Sequence, residues 1–536
     1  MTGQSSTATL TATARDVFGW PRLRPGQQEA MQAVLGGRDT LVVMPTGAGK
    51  SAIYQVPALL LPGPTVIVSP LIALQHDQVA GLLRRTDAPG AVAVNSAQSN
   101  EQTRQAWRAL KHGDAEYVFI APEQLAKEET VSALAALRPR LFVVDEAQCI
   151  SAWGHDFRPD YQSLGRVTQK LGRPTVLALT ATAAPPVRRD IAGSLRMRDP
   201  LVLVAGFDRP NLSLAVTGFL RDEDKRAAVV ERAASLPKPG LVYAATRKDT
   251  EGYAAELTKL GLAARAYHAG LKAAERESVH QAFLSGKLDV VVATSAFGMG
   301  IDKPDVRFVL HASVPESLDA YYQQIGRAGR DGAAAEVLLC YRAEDLGLQR
   351  FLTAGGPDVE ALRAVASARD RAVGGRASAA EIQRGSGLSR RRVTAAVNLL
   401  QLTGDTEEKP DEPEAAVERA VAVAEQQRQV EQSRLEMMRG YAETTGCRRH
   451  FLLGYFGEAT AEVCGNCDSC RSGSAHRDTA PADGAFAVGA AVRHREWGEG
   501  TVLQVEQDRV TVLFASVGYR TLSVPAVQEN NLVETV

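Results

Sequence analysis

The chain has 536 residues, 45% of them hydrophobic and 23% charged, an ordinary balance for globular protein with room for roughly three or four domains. Its 61 Lys and Arg against 62 Asp and Glu leave a formal net charge of −1, which excludes a global attraction to nucleic acid and confines any such binding to local patches. The N-terminus lacks the charged-then-apolar plan of a signal peptide, no apolar run reaches the ~18 residues of a membrane span, and six cysteines make no disulfide framework, so a cytoplasmic protein without membrane contact is expected.

Residues 1–15, small and polar, read as a disordered tail. After Phe18-Gly19-Trp20 comes Leu23-Arg24-Pro25-Gly26-Gln27-Gln28. The Gln27 amide can pair with an adenine edge while Trp20 or the Arg24 guanidinium stacks on its face, although an N-capped surface turn with a buried Trp20 fits the same residues. An apolar run from Thr40 to Val43, the stretch Met44-Pro45-Thr46-Gly47-Ala48-Gly49-Lys50-Ser51 and a helix from Ala52 then make a strand, glycine loop and helix. Gly47 and Gly49 let backbone N–H groups wrap a phosphate at a helix N-terminus, Lys50 can reach the β- and γ-phosphates, and the Ser51 hydroxyl can hold Mg²⁺. Met44 stands where the strict phosphate-loop pattern has its first glycine.

Short apolar strands follow: Thr65 to Val68, ahead of a helix at 73–79; Tyr117 to Ile120; and Leu141 to Val144, which ends in Asp145-Glu146. Ligands of an open parallel sheet sit beyond its strand C-termini, so this pair faces the phosphate loop, with Asp145 as Mg²⁺ ligand and Glu146 as base or orienter of the attacking water. From Gln148 to Tyr161, aromatics alternate with Arg, Gly and Pro. Trp153, His155, Phe157 and Arg158 suit stacking on unpaired bases and phosphate contact, as they also suit a packed loop. Leu177 to Ala183 is an apolar strand closing in two threonines.

This order of segments resembles a superfamily-two helicase, and specifically the RecQ family of DNA helicases. The resemblance rests on Arg24 to Gln27, Met44 to Ser51, Ser69-Pro70-Leu71-Ile72-Ala73-Leu74, Asp145 to Tyr161 and Leu179 to Ala183. It continues in Gly240 to Ala244, Tyr267-His268-Ala269-Gly270-Leu271, Val290 to Pro304 and Tyr322 to Gly332. It implies an α/β fold with two RecA-like domains, 16–205 and 206–350, and ATP between them. Trp20, Arg24 and Gln27 would recognise adenine, and Asp302 would contact ribose or the catalytic water. Gln323, Arg327 and Arg330 would enter the cleft from the second domain to stabilise charge on the γ-phosphoryl group. The residues from Trp153 to Arg158 would couple single-stranded DNA to hydrolysis. The resemblance also implies 3′-to-5′ movement, duplex unwinding for DNA repair or recombination, and a place at the nucleoid. An RNA unwinder, or a DNA-binding scaffold switched by ATP, is the rival reading. The family usually reads Asp-Glu-Ala-His where this chain has Asp145-Glu146-Ala147-Gln148.

Beyond the motor, 357–406 has a helix-turn-helix plan, with Ser378 to Glu381 as capping box, Gly387 at the turn, and Ser389 capping a helix opened by Arg390-Arg391-Arg392. A winged-helix-like module results, displaced from its usual place after the zinc module. An acidic, proline-bearing linker, 407–414, leads to a long helix and to Cys447, Cys464, Cys467 and Cys470. Spaced C-x16-C-x2-C-x2-C, these four thiolates can close a tetrahedral Zn²⁺ shell, and 415–471 resembles the family's zinc module. Cys149 and Cys340 read as packed thiols. After a second linker, 472–484, alternating strands in 485–536 resemble an SH3- or Tudor-like barrel suited to a protein partner.

Overall fold

Leu141–Val144 is apolar at every position, a composition suited to a strand covered on both faces, and all four of its residues are buried. The computed structural model describes residues 3–84, 90–151, 158–298, 303–353, 356–371, 379–403, 412–458, 463–477, 486–506, 509–514 and 516–535. Two parallel sheets carry the first two-thirds of the chain. The first orders its strands Gly90–Val94, Ala115–Ile120, Thr65–Val68, Leu141–Val144, Thr175–Thr180, Thr40–Val43 and Leu201–Val204. The second runs Ala264–Tyr267, Val290–Ala293, Gly240–Tyr243, Phe308–His311, Ala335–Tyr341 and Leu212–Gly218. Every neighbouring pair in both is parallel, so all strand C-termini of a sheet share one edge and the loops leaving them gather there. Helices make the crossovers, and their ends follow local chemistry: the Asn100–His112 helix starts on a Ser99/Gln102 capping box and stops at Gly113, whose φ of 79° closes the last turn.

The N-terminal expectation needs correction. Residues 3–18 form a helix (Gly3–Phe18) whose Leu10, Ala14 and Phe18 are fully or almost fully buried against the first sheet's core. Their i, i+4, i+8 spacing is an apolar helix stripe hidden among small polar residues.

Helices Val359–Asp370, Ala379–Ser386 and Arg390–Leu402 form the expected helix-turn-helix, with Gly387 at φ 69° in the turn. Ser389 occupies the N-cap position without making the side-chain bond, and Ser378 of the expected capping box lies outside the described residues. No strand stands among the described residues of 357–443, so the wing of the expected winged helix is not part of what is seen. The expected boundary at 407–414 also shifts, because a single helix runs Pro413–Glu443. Its Ala416, Val417 and Ala420 close the core of the helix-turn-helix, while Met438 and Tyr441 enter the core around the cysteines; one amphipathic rod thus serves two modules. The Arg390–Leu402 helix also packs against the Pro159–Tyr161 turn of the first lobe.

The last region is a five-stranded antiparallel sheet, ordered Gly518–Ser523, Arg509–Phe514, Gly498–Val505, Ala491–His494 and Val533–Thr535, with one short helix, Val524–Glu529. It is firmly docked. The Tyr519 N–H donates to Ser433 Oγ at 3.0 Å, Tyr519 stacks on Tyr455 at 5.0 Å, and Arg189 of the first lobe reaches Thr501 Oγ1 at 3.3 Å. Gly518 makes this approach possible, since a Cβ there would lie 2.2 Å from Ser433 Oγ.

Candidate functional site

The strand Thr40–Val43 delivers the phosphate loop to the edge of the first sheet, two strands from Asp145. Gly47 and Gly49 both take φ of 82°, a left-handed conformation that side-chain-bearing residues rarely adopt, so the loop's curvature depends on them. Lys50 folds back and donates from Nζ to the Met44 carbonyl at 3.1 Å. Burial pushes its ammonium pKa down, against the pull of the Glu146 and Asp145 carboxylates and with further lowering from Arg330. Arg330, from the second sheet, also lies against Gly47 of this loop, which puts Lys50 in a cleft between the two sheets. Ser51 accepts from Gln78 Nε2 at 3.2 Å, and Gln78 in turn accepts from the Tyr54 hydroxyl at 3.3 Å.

Gln27 is 4% exposed, and its amide is spent on the loop: Nε2 donates to the Gly49 carbonyl at 2.9 Å and to that of Ala48 at 3.1 Å, while Oε1 accepts from the Arg24 N–H at 2.8 Å. The Arg24 guanidinium bonds the Gly47 carbonyl. Trp20, half-buried, stacks on Phe18 with centroids 4.7 Å apart and planes at 13°. Gln27 and Arg24 stand beside the loop and hold its shape directly, a role the sequence did not reveal.

Burial, and then the neighbouring Glu146 carboxylate, push the Asp145 carboxyl up, against the pull of Lys50. Glu146 sits at φ 49°, a left-handed conformation that turns its carboxylate away from the strand line. The Gln148 side chain bonds inside its own lobe. It is 1% exposed, donates to Glu146 Oε2 at 2.9 Å and accepts from Thr180 Oγ1 at 2.6 Å, inside the first lobe. A neutral amide can donate and accept at once, and so links the carboxylate pair to the strand ending in Thr180.

From the second lobe, Arg330 lies over the phosphate loop: a Cβ on Gly47 would be 3.3 Å from its Cγ and Cδ. A Cβ on Gly326 would be 3.7 Å from Thr46 Cβ, so both loops meet face to face. Arg327 is 3% exposed, burial raises the Tyr243 hydroxyl pKa against the downward pull of the Arg327 charge, and the Arg327 Nε has no hydrogen-bond partner among the described residues. Gln323 is half-buried on the helix Leu318–Ile325 that leads into this loop. Asp302, Trp153, His155 and Phe157 lie outside the described residues. Arg158 is tied into the framework, donating from its N–H to the Cys149 carbonyl at 2.8 Å and from Nη1 to that of Pro70 at 2.9 Å. Gln78 and Thr180 escaped the sequence reading because their partners stand 27 and 32 residues away, beyond any local spacing rule.

The thiol sulfurs of Cys447, Cys464, Cys467 and Cys470 all lie within 4.8 Å of one another, and Cys464 and Cys470 are 3.8 Å apart. A tetrahedral shell with Zn–S bonds of about 2.3 Å has sulfur edges of about 3.8 Å, so the donor set fits zinc. Cys149 and Cys340 are each fully buried, as packed thiols. No helix among the described residues is long and apolar enough to cross a membrane.

Residues 24–190 match the DEAD/DEAH box helicase family, 225–332 the helicase conserved C-terminal domain, and 412–471 the RecQ zinc-binding family. The ATP-dependent DNA helicase RecQ of Bacillus subtilis is 34% identical over 492 residues, 91% of this chain and 71% of that protein. The RecQ of Pasteurella multocida is 35% identical over 86% of this chain and 62% of its own length. The Mycobacterium smegmatis helicase Lhr, bound to single-stranded DNA and AMP-PNP, shares the fold at a TM-score of 0.52 and 23% identity, covering 74% of this chain and 58% of that one. The zinc-family match and the sulfur geometry agree on a zinc centre. Its cysteines share one core with Tyr441, Phe451, Leu503 and Tyr519, so chelating the metal from the whole protein should lower the first thermal transition by roughly 10 °C, several kcal/mol at the few degrees per kcal/mol usual for domains of this size. A melting curve unmoved by chelator would sink that expectation. With both lobes converging on one phosphate loop, the four-cysteine cluster, and relatives matched over most of the chain, this protein belongs to the RecQ family of ATP-dependent DNA helicases.

Proposed function

We propose that this chain couples ATP hydrolysis between its lobes to 3′-to-5′ movement along single-stranded DNA, and so unwinds duplex DNA in repair or recombination at the nucleoid. The observation that carries the proposal is Arg330 of the second lobe lying over Gly47 of the first. In this reading Gly47, Gly49 and Lys50 cradle the phosphates, Arg24, Gln27 and Trp20 form the adenine side, and Glu146 orients the attacking water. Ser51 and Asp145 offer an oxygen-only donor set suited to Mg²⁺, which when bound would neutralise phosphate charge. Gln323, Arg327 and Arg330 supply the opposing wall and Asp302 the ribose or water contact. Because Gln27 bonds the loop carbonyls of Ala48 and Gly49, a base that draws its amide away also loosens the loop, so adenine recognition is felt at the phosphates.

Strand displacement on matched DNA and RNA duplexes, with 3′ and 5′ overhangs, tests this reading. Unwinding restricted to DNA with a 3′ overhang supports it; unwinding of RNA, or phosphate release without strand separation, rejects it for the two rivals. Trp153, His155, Phe157 and Arg158 form the proposed DNA sensor, since their segment leaves the Asp145-Glu146 strand. Replacing Trp153 with Ala should bring the ratio of ATPase rates with and without single-stranded DNA close to one; a ratio still like that of the parent protein removes the sensor from the account. The C-terminal sheet is proposed as a protein-docking element, which co-purification with and without residues 485–536 would test.

A further inference from the structure

The segment joining the two sheets runs between the strands Leu201–Val204 and Leu212–Gly218, and two of its side chains reach into the loop that carries Arg327 and Arg330. Arg209 donates from Nη2 to the Ala328 carbonyl at 2.8 Å and to that of Gly329 at 3.0 Å, and from Nη1 to that of Gly326 at 3.4 Å. Asn211 donates from Nδ2 to the carbonyls of Gly329 at 2.8 Å and Ala333 at 2.9 Å. Gly329 is required for this grip: its φ is 56°, and a Cβ there would lie 2.4 Å from Asn211 Nδ2. The planar guanidinium, with five donors in fixed directions, suits several carbonyls of one turn as no lysine would.

The grip has a purpose in the loop's own energetics. Arg327 is buried and its Nε has no partner among the described residues, so the backbone on either side carries much of the task of setting its place. The linker is fixed in its turn by the zinc module. Arg449, 8% exposed and two residues past Cys447, donates from Nη2 to the carbonyls of Leu212 at 2.7 Å and Arg209 at 3.2 Å, and Asn466 donates to that of Pro210 at 3.2 Å.

We infer that Arg209, aided by Asn211, is a positioning residue for ATP hydrolysis, holding the backbone of 326–333 so that Arg327 and Arg330 stay aimed at the phosphate loop, and that Arg449 anchors this clamp to the zinc module. The inference rests on the proposed role of those two arginines. Arg209 touches none of the residues that cradle the phosphates, so it acts on the rate of the chemical step and not on nucleotide capture. Movement of the linker as the lobes open carries the arginine loop with it.

The test is steady-state ATPase kinetics on full-length zinc-loaded protein with saturating single-stranded DNA, alongside fluorescent-nucleotide binding. Arg209→Ala should lower kcat by about 10- to 100-fold, with KM and nucleotide affinity changed less than about twofold, and Arg209→Lys should not restore it. Arg209→Ala combined with Arg330→Ala should be no slower than Arg330→Ala alone. If Arg209→Ala fails to fold, Asn211→Ala should show the same split between kcat and KM at smaller size. Equal loss of affinity and kcat, or multiplying effects in the double variant, overturns the clamp. Were Arg330→Ala itself to hydrolyse ATP normally, the cleft reading would fail instead; were only Arg330→Ala impaired, the clamp alone would fall.

Discussion

Arg330→Ala is expected to cut DNA-stimulated ATP hydrolysis by about 10³-fold or more, the scale on which an arginine facing a transferring phosphoryl group acts in other nucleotide hydrolases. The expectation follows from its place over Gly47 and from its electrostatic influence on Lys50, which requires proximity across the cleft. ATP affinity should fall far less, because Lys50, Gln27 and the glycines belong to the other lobe. Phosphate release and equilibrium binding on the same preparation separate these quantities. Hydrolysis within about tenfold of the parent protein would mean that the second lobe does not complete the site.

Lys50→Ala is expected to remove both hydrolysis, by about 10³-fold, and most of the nucleotide affinity, since its ammonium ends the phosphate loop and is drawn by the Asp145-Glu146 pair. Burial lowers the cost of giving up its proton, and the two carboxylates resist that loss. Without the ammonium, Asp145 and Glu146 would face each other with less compensation, and an incoming triphosphate would meet repulsion. Melting temperature should change little, as among the described residues Lys50 bonds only the Met44 carbonyl. A variant that still binds nucleotide tightly would show that backbone N–H groups and helix N-terminus alone hold the phosphates.

Loss of Lys50 is a loss within one lobe, whereas loss of Arg330 reports on communication between lobes. The Gln148 network belongs to the first kind. Its bonds to Glu146 and Thr180 stay inside one sheet edge, so this amide holds the carboxylate from within the first lobe. The helix Pro413–Glu443 and the docked C-terminal sheet work on a larger scale, tying the zinc module to Arg189 of the first lobe and to Tyr321 of the second, whose hydroxyl meets that of Tyr441 at 3.0 Å.

By itself the sequence determined whatever depends on neighbours along the chain. An all-apolar run such as Leu141–Val144 is a strand buried on both faces, glycines at 47 and 49 supply left-handed backbone before a lysine and a helix, and thiols spaced two residues apart can share one ion. Those are properties of dihedral angles and short spacings. The N-terminal helix was misread because its apolar stripe of Leu10, Ala14 and Phe18 has meaning only against a core supplied by other segments. Only the tertiary structure decided that Gln27 grips the phosphate loop, that Gln148 turns inward, that one helix spans 413–443 through an expected boundary, and that Arg209 holds a turn 119 residues away. Such partners are chosen by how sheets and helices pack, and a guanidinium or amide carries no mark along the chain of which carbonyl it will meet.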